Sequence, residues 1–204
     1  MDRDRDAGLL FCFKRFSASR LQTDGWQRTL TNFMIDMLTW SDYVHVEMVP
    51  VSEHSLGRFT LCPCSYTAFP PAGFVRRESK LCCDSAAYTH LFLPLSRDAT
   101  HYAHKFLDSL VGSTYNSAGA LTAAWHEWMQ SRDVGGEKYV NAWHVHVDNG
   151  DETTRRVFCS EAGLMLCYMT GAYAGAEQPR LCTPKVLYQI LQECKAVKVA
   201  HLCG

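Results

Sequence analysis

Apolar positions follow two rhythms along this chain of 204 residues. In the first half they run unbroken or alternate; in the second they recur at helical spacing. Gly8 to Phe13 is an unbroken apolar run and predicts a short buried strand. Trp26 to Trp40 carries Trp26, Leu30, Phe33, Met34, Met37 and Leu38 as a helical stripe, with Thr23 or Asp24 as its cap. Tyr43 to Val49 alternates, with Val44, Val46 and Met48 on one face and His45 and Glu47 on the other. Ser52 to Gly57 reads as a turn and Phe59 to Cys62 as a return strand. Phe74 to Glu78 and His90 to Leu95 are further strands, set between polar loops and Pro70-Pro71.

The second half is more helical. Asp98 to Val111 predicts a helix with Tyr102, Ala103, Phe106, Leu107 and Leu110 on its apolar face, and Gly112 follows as its C-cap. Ser117 to Gln130 predicts another, with Trp125 and Trp128 on one side. Tyr139 to Val147 fits loop or strand. Ala162 to Tyr173 is an apolar helix ending near Gly171 or Gly175. Thr183-Pro184 starts the last helix, whose apolar face is Leu187, Ile190 and Leu191. Lys195 to Leu202 reads as a terminal strand. The pattern predicts one α+β domain over residues 1–204, with residues 1–7 as an N-terminal extension.

Composition narrows the function classes. Hydrophobic content of 47% and charged content of 20% are those of a globular protein. The net charge is −1, so nothing favours a nucleic-acid partner. Lys14-Arg15, Arg76-Arg77 and Arg155-Arg156 read as solvated loop ends. The apolar run after the charged start is too short for a signal-peptide core. The uncharged stretch Ala162 to Ala176 is too short to span a bilayer. These features predict a cytoplasmic protein without a transmembrane segment, for which peripheral membrane contact stays open. With no leader, the ten cysteines are expected to be free thiols. Cys62, Cys64, Cys82 and Cys83 could offer four zinc ligands, but their spacing is not that of zinc knuckles, and small buried thiols are the preferred reading. Neither a metal nor another cofactor is expected.

Candidate chemistry lies in two short segments. Phe158-Cys159-Ser160-Glu161 puts a cysteine at the start of an apolar helix, where free N–H groups and the helix dipole lower a thiol pKa. Tyr43-Val44-His45-Val46-Glu47 puts a histidine and a carboxylate on one face of a strand. A thiol and a histidine held by a polar group are the parts of a cysteine hydrolase or acyltransferase. Cys159 is the candidate nucleophile, and its own N–H is part of a candidate oxyanion site. His45 is the candidate base. Glu47 is the nearest carboxylate to orient it, with Glu53 and His54 as rivals. His144 and His146 are the alternative bases or metal ligands, while His101 and His104 read as a solvated helix edge.

The ordered set of pieces resembles the circularly permuted branch of the NlpC-type papain-like superfamily, on the side of bacterial lipoprotein-like amidases and a poxvirus protein family. Ser41-Asp42-Tyr43-Val44-His45-Val46-Glu47 resembles its histidine strand, and Gly112-Ser113-Thr114-Tyr115-Asn116 its glycine–tyrosine turn. Val157-Phe158-Cys159-Ser160-Glu161 resembles its nucleophile motif, and Thr183-Pro184-Lys185-Val186-Leu187-Tyr188 its closing segment. The resemblance implies a small antiparallel sheet or partial barrel packed on the nucleophile helix, and the order histidine before cysteine marks the permuted branch. It implies Cys159 as nucleophile, His45 as base and a polar third residue, for which Glu47 is the choice. Tyr43, Tyr115 and Asn116 are the candidate substrate-binding residues, although an ordinary turn after Gly112 accounts equally well for the last two. The implied substrate is an amide, ester or thioester, lipid-derived or peptide. A papain-like scaffold without catalysis, binding a lipid, peptide or host protein, is the alternative. Pro50 and the polar Ser52-Glu53-His54 depart from the family's smooth strand and leave the third position open.

Overall fold

Residues 9–13 of the strand Ala7–Arg15 (β1) are shielded on both faces, which is why the segment reads as an apolar run rather than an alternation. The computed structural model describes residues 7–15, 41–55, 58–131 and 156–199. The helix expected at Trp26 to Trp40 and the segment Tyr139 to Val147, with His144 and His146, lie outside the described residues. Ala7, read from sequence as part of an extension, is already buried in β1.

β1 pairs antiparallel with Tyr43–Ser55 (β2) on one side and with Tyr88–Leu95 (β6) on the other. Arg58–Leu61 (β3), Cys64–Phe69 (β4), Gly73–Glu78 (β5) and Val197–Val199 (β9) complete the sheet. Its order is β5-β4-β2-β1-β6-β9, with β3 pairing to β2. The sheet is antiparallel and not closed, and with its helices it makes an α+β fold.

Two elements depart from the sequence reading. β2 does not turn at Ser52 but continues to Ser55, because its far half forms a hairpin with β3. Pro50 fits there because β2 passes from β4 to β3 at that point, and its carbonyl takes the Cys62 N–H at 2.9 Å. The sequence pattern leaves β4 among the polar loops, yet it is a strand. Its Tyr66 and Ala68 join the core while Ser65 and Thr67 face the other way, a period-two pattern hidden by its short length and the flanking prolines.

One face of the sheet packs against Arg97–Leu110 (α1), Cys159–Met169 (α2) and Pro184–Glu193 (α3). The core between them includes Leu9, Phe11, Phe13, Val46, Met48, Leu107, Leu164 and Leu187. Each such side chain contributes about 1.5–3 kcal/mol when fully buried. Tyr102 is exposed, so the buried stripe of α1 is Thr100, Ala103, Leu107 and Leu110. The opposite face buries Leu10, Cys12, Val49, Val51, Tyr88 and Phe92 against Cys82 and Ala87. A further helix, Ser117–Ser131, sets Ala120, Ala123 and Ala124 against Phe158, just before Cys159. Thr114–Tyr115 (β7) and Arg156–Val157 (β8) form a short parallel pair that leads the chain into α2. Among the described residues, no helix is long and apolar enough to cross a membrane.

Candidate active site

The backbone is extended at Phe158 and turns helical at Cys159, so the thiol stands on the first residue of α2. Phe158 has no side chain that can cap this helix. Glu161 supplies the reciprocal half of a cap instead, taking the Phe158 N–H on Oε2 at 3.2 Å. Ser160 Oγ donates to the Cys182 carbonyl at 2.7 Å and ties the helix start to the segment before α3. The two polar residues after the cysteine therefore hold the helix terminus in place.

The helix start meets β2. The backbone N–H groups of Val46, Ser160 and Cys159 itself favour the anion of the sulfur. Val46 follows His45 directly. Cys159 thus meets the stretch of β2 that carries His45, whose side chain alternates onto the opposite face from Val46.

His45 is buried, and its Nε2 lies 2.7 Å from Thr67 Oγ1. The Thr67 hydroxyl donates its single proton to the Val46 carbonyl at 3.0 Å. With that proton on the Val46 carbonyl, the hydroxyl oxygen is left to accept the Nε2–H of the ring. Phe69 packs edge-on against the ring, with centroids 6.5 Å apart.

Thr67, not Glu47, thus stands on the orienting nitrogen. Glu47 is fully buried on the same strand, but its Oε2 accepts from Ser65 Oγ at 3.0 Å and its Oε1 from the Tyr88 hydroxyl at 2.8 Å. Arg77 Nε adds an ion pair at 3.6 Å. Glu53 and His54 pair with Thr60 and Phe59 at the far end of β2, roughly 25 Å along the strand from His45. Sequence reasoning missed Thr67 because it missed β4; the alternation Ser65-Tyr66-Thr67-Ala68 was the available signal.

The thiol also departs from expectation. Burial pushes Cys159 up to about 11, against the three N–H groups that pull it down. Desolvation of the anion outweighs the helix N-terminus, so the resting group at neutral pH is a thiol. Burial likewise raises the Glu161 carboxyl to about 7, against the Phe158 N–H and Arg180.

The candidate substrate-binding residues take varied positions. A β-bulge near Lys14/Arg15 shifts the register just before His45, and Tyr43 packs with Phe13 and Tyr188, its ring centroid 5.5 Å from the first and 4.6 Å from the second. Tyr115 pairs with Val157 in the strand leading to Cys159 and packs near Phe158. Asn116 caps the helix that follows it, accepting the Gly119 N–H on Oδ1 at 2.9 Å. His104 is bound to the Tyr66 hydroxyl at 2.8 Å rather than merely solvated.

All described cysteines are free. Cys82 and Cys83 direct their sulfurs to the Ser79 carbonyl at 3.0 and 3.6 Å. Among the described residues, no group of three or more His, Cys, Asp or Glu is arranged to hold a metal ion. The chain matches no protein-family model, no curated protein and no solved structure.

Proposed function

We propose that this protein is a thiol-dependent hydrolase or acyltransferase with a permuted papain-like architecture, acting on an amide, ester or thioester. The observation that carries the reading is that the N–H of Val46, the residue after His45 on β2, favours the anion of the Cys159 sulfur, while His45 Nε2 lies 2.7 Å from Thr67 Oγ1. The antiparallel sheet packed on the helix that bears Cys159 supports the architecture, as does the order of histidine before cysteine.

Because the buried thiol is neutral at rest, its proton leaves as attack begins. His45 Nδ1 takes the Sγ proton while sulfur bonds to the substrate carbonyl carbon. The tetrahedral oxyanion collapses, the bond to the leaving group breaks, and the imidazolium returns its proton to that group. Water or a second acceptor then gives a proton to His45 and attacks the thioester, releasing the acyl product and the thiol. Thr67 holds the ring in the required tautomer through both halves.

The burial and raised pKa of Cys159 favour a second reading, a catalytically silent scaffold that binds a lipid, peptide or host protein. One experiment separates the two. The full chain is incubated with an activated acyl ester and with an acyl thioester, and peptides are mapped by mass spectrometry. Catalysis predicts an acyl adduct on Cys159 that disappears in His45→Ala. No adduct with either donor leaves the scaffold.

A further inference from the structure

Between β2 and β4 the ladder has a single rung, Met48 opposite Tyr66. In an antiparallel pair the next hydrogen-bonded rung toward His45 falls at Val46 opposite Ala68. Both residues are described, and that rung is missing. The Val46 carbonyl is taken instead by the Thr67 hydroxyl at 3.0 Å. The N–H and C=O of one strand residue point to the same edge, so the Val46 N–H enters the same gap. From there it favours the anion of the Cys159 sulfur.

We propose that Thr67 wedges β2 and β4 apart, so that the Val46 N–H, withheld from the ladder, becomes a thiolate-binding donor for Cys159. The inference rests on the reading of Cys159 as a nucleophile and deepens it. Thr67 is a positioning residue: it acts through its one hydroxyl, which serves both Val46 and His45. Its proton fixes the Val46 carbonyl and hence the direction of the Val46 N–H, and its lone pair fixes His45. Were the ladder to close as far as Ala68, the Val46 N–H would go to β4 and the sulfur would lose a donor from outside its own helix start. An anion in a buried site needs such donors, because each backbone N–H aimed at it offsets part of its desolvation.

Two measurements test this. The first is Cys159 alkylation by iodoacetamide against pH, read by peptide mass spectrometry in wild type, Thr67→Val and Thr67→Ser. Thr67→Val keeps the shape but not the hydroxyl, and its profile should move up by at least one pH unit, about tenfold slower at a fixed pH below the midpoint. Thr67→Ser should stay within about threefold of wild type. The second is the Val46 amide resonance at pH 7 in wild type and Cys159→Ala, which does not depend on a Thr67 variant folding. Loss of the sulfur acceptor should move the Val46 amide proton upfield. An unchanged alkylation profile in a folded Thr67→Val, or a Val46 resonance indifferent to Cys159, overturns the wedge. Failure of the parent reading looks different: wild-type Cys159 then takes no acyl group, while the Val46 and Thr67 effects persist. An acyl adduct formed alike in wild type and Thr67→Val, with identical pH profiles, sinks the wedge and spares the enzyme.

Discussion

The Tyr88 hydroxyl lies 2.8 Å from Glu47 Oε1 and donates to it, joining the strands on either side of β1 across a fully buried carboxylate. Ser65 holds the other oxygen and Arg77 stands 3.6 Å away. These partners make Glu47 a structural anchor of the sheet. Tyr88→Phe removes one of its donors and should cost about 1–3 kcal/mol of stability. Urea unfolding checks this. Below the transition, the folded variant should form the Cys159 acyl adduct at the wild-type rate. A variant as stable as wild type but unable to form the adduct would return Glu47 to the catalytic machinery.

Glu161 gives stability a pH dependence whose sign is fixed. Its carboxyl is raised from 4.5 to about 7 in the folded protein, chiefly by burial. The folded state therefore keeps a proton that the unfolded chain releases. This contribution is full below about pH 4.5, falls as pH rises through the window, and is gone above about 7. Its size is on the order of 3 kcal/mol. Between pH 5 and pH 8, wild type should lose more unfolding free energy than Glu161→Gln, whose amide can still accept the Phe158 N–H. Equal losses in the two proteins would show that the carboxyl is not buried as described.

Two glycines with positive φ should respond differently to alanine. Gly73 has φ +77°, and an added Cβ would meet the Ser113 carbonyl oxygen at 2.2 Å. That contact belongs to a backbone joint, since the Phe74 N–H donates to the Ser113 carbonyl at 2.8 Å and the Gly112 N–H to the Phe74 carbonyl at 2.9 Å. Gly112 has φ +90° with open space around it. Gly112→Ala should carry only the conformational cost of about 1–2 kcal/mol. Gly73→Ala adds displacement of the joint and should be clearly the less stable variant. Thermal unfolding of the pair gives the ranking, and the reverse order would refute the close approach of β5 to the turn after α1.

Much of the scaffold was legible because burial wrote it into the residue pattern. The run Gly8 to Phe13 marked a strand covered on both faces, and Thr183-Pro184 marked a helix start, confirmed by the Thr183 hydroxyl accepting the Val186 N–H at 3.2 Å. The candidate site was legible at Cys159 and His45, which stand on recognisable elements, but not at its support. Thr67 lies on a short strand between prolines, and a threonine carries no signal of its own until a neighbouring strand brings it to an imidazole. Glu47 misled for the opposite reason: two residues apart on a strand face suggested contact, while cross-strand neighbours supplied its partners. The thiol pKa misled because sequence reveals a helix N-terminus but not how deeply the sulfur is buried.

That burial leads to the last prediction, which separates a resting ion pair from a base that acts only during attack. With Cys159 raised to about 11, roughly one molecule in ten thousand carries the thiolate at pH 7. The sulfur is also shielded, whereas Cys62, Cys64 and Cys194 are half-buried. Iodoacetamide at pH 7 should therefore label those three well before Cys159. The Cys159 rate should climb about tenfold per pH unit toward pH 11. Because burial and the N–H groups dominate this equilibrium, His45→Ala should leave the climb in place while abolishing acylation by an activated ester. The comparison has one decisive outcome. If Cys159 in wild type is alkylated faster than the half-buried thiols at pH 7, and loses that advantage in His45→Ala, a preformed thiolate–imidazolium pair exists and concerted proton transfer is wrong. If alkylation is slow in both proteins and acylation needs His45, the proton moves only when substrate is there to receive the sulfur.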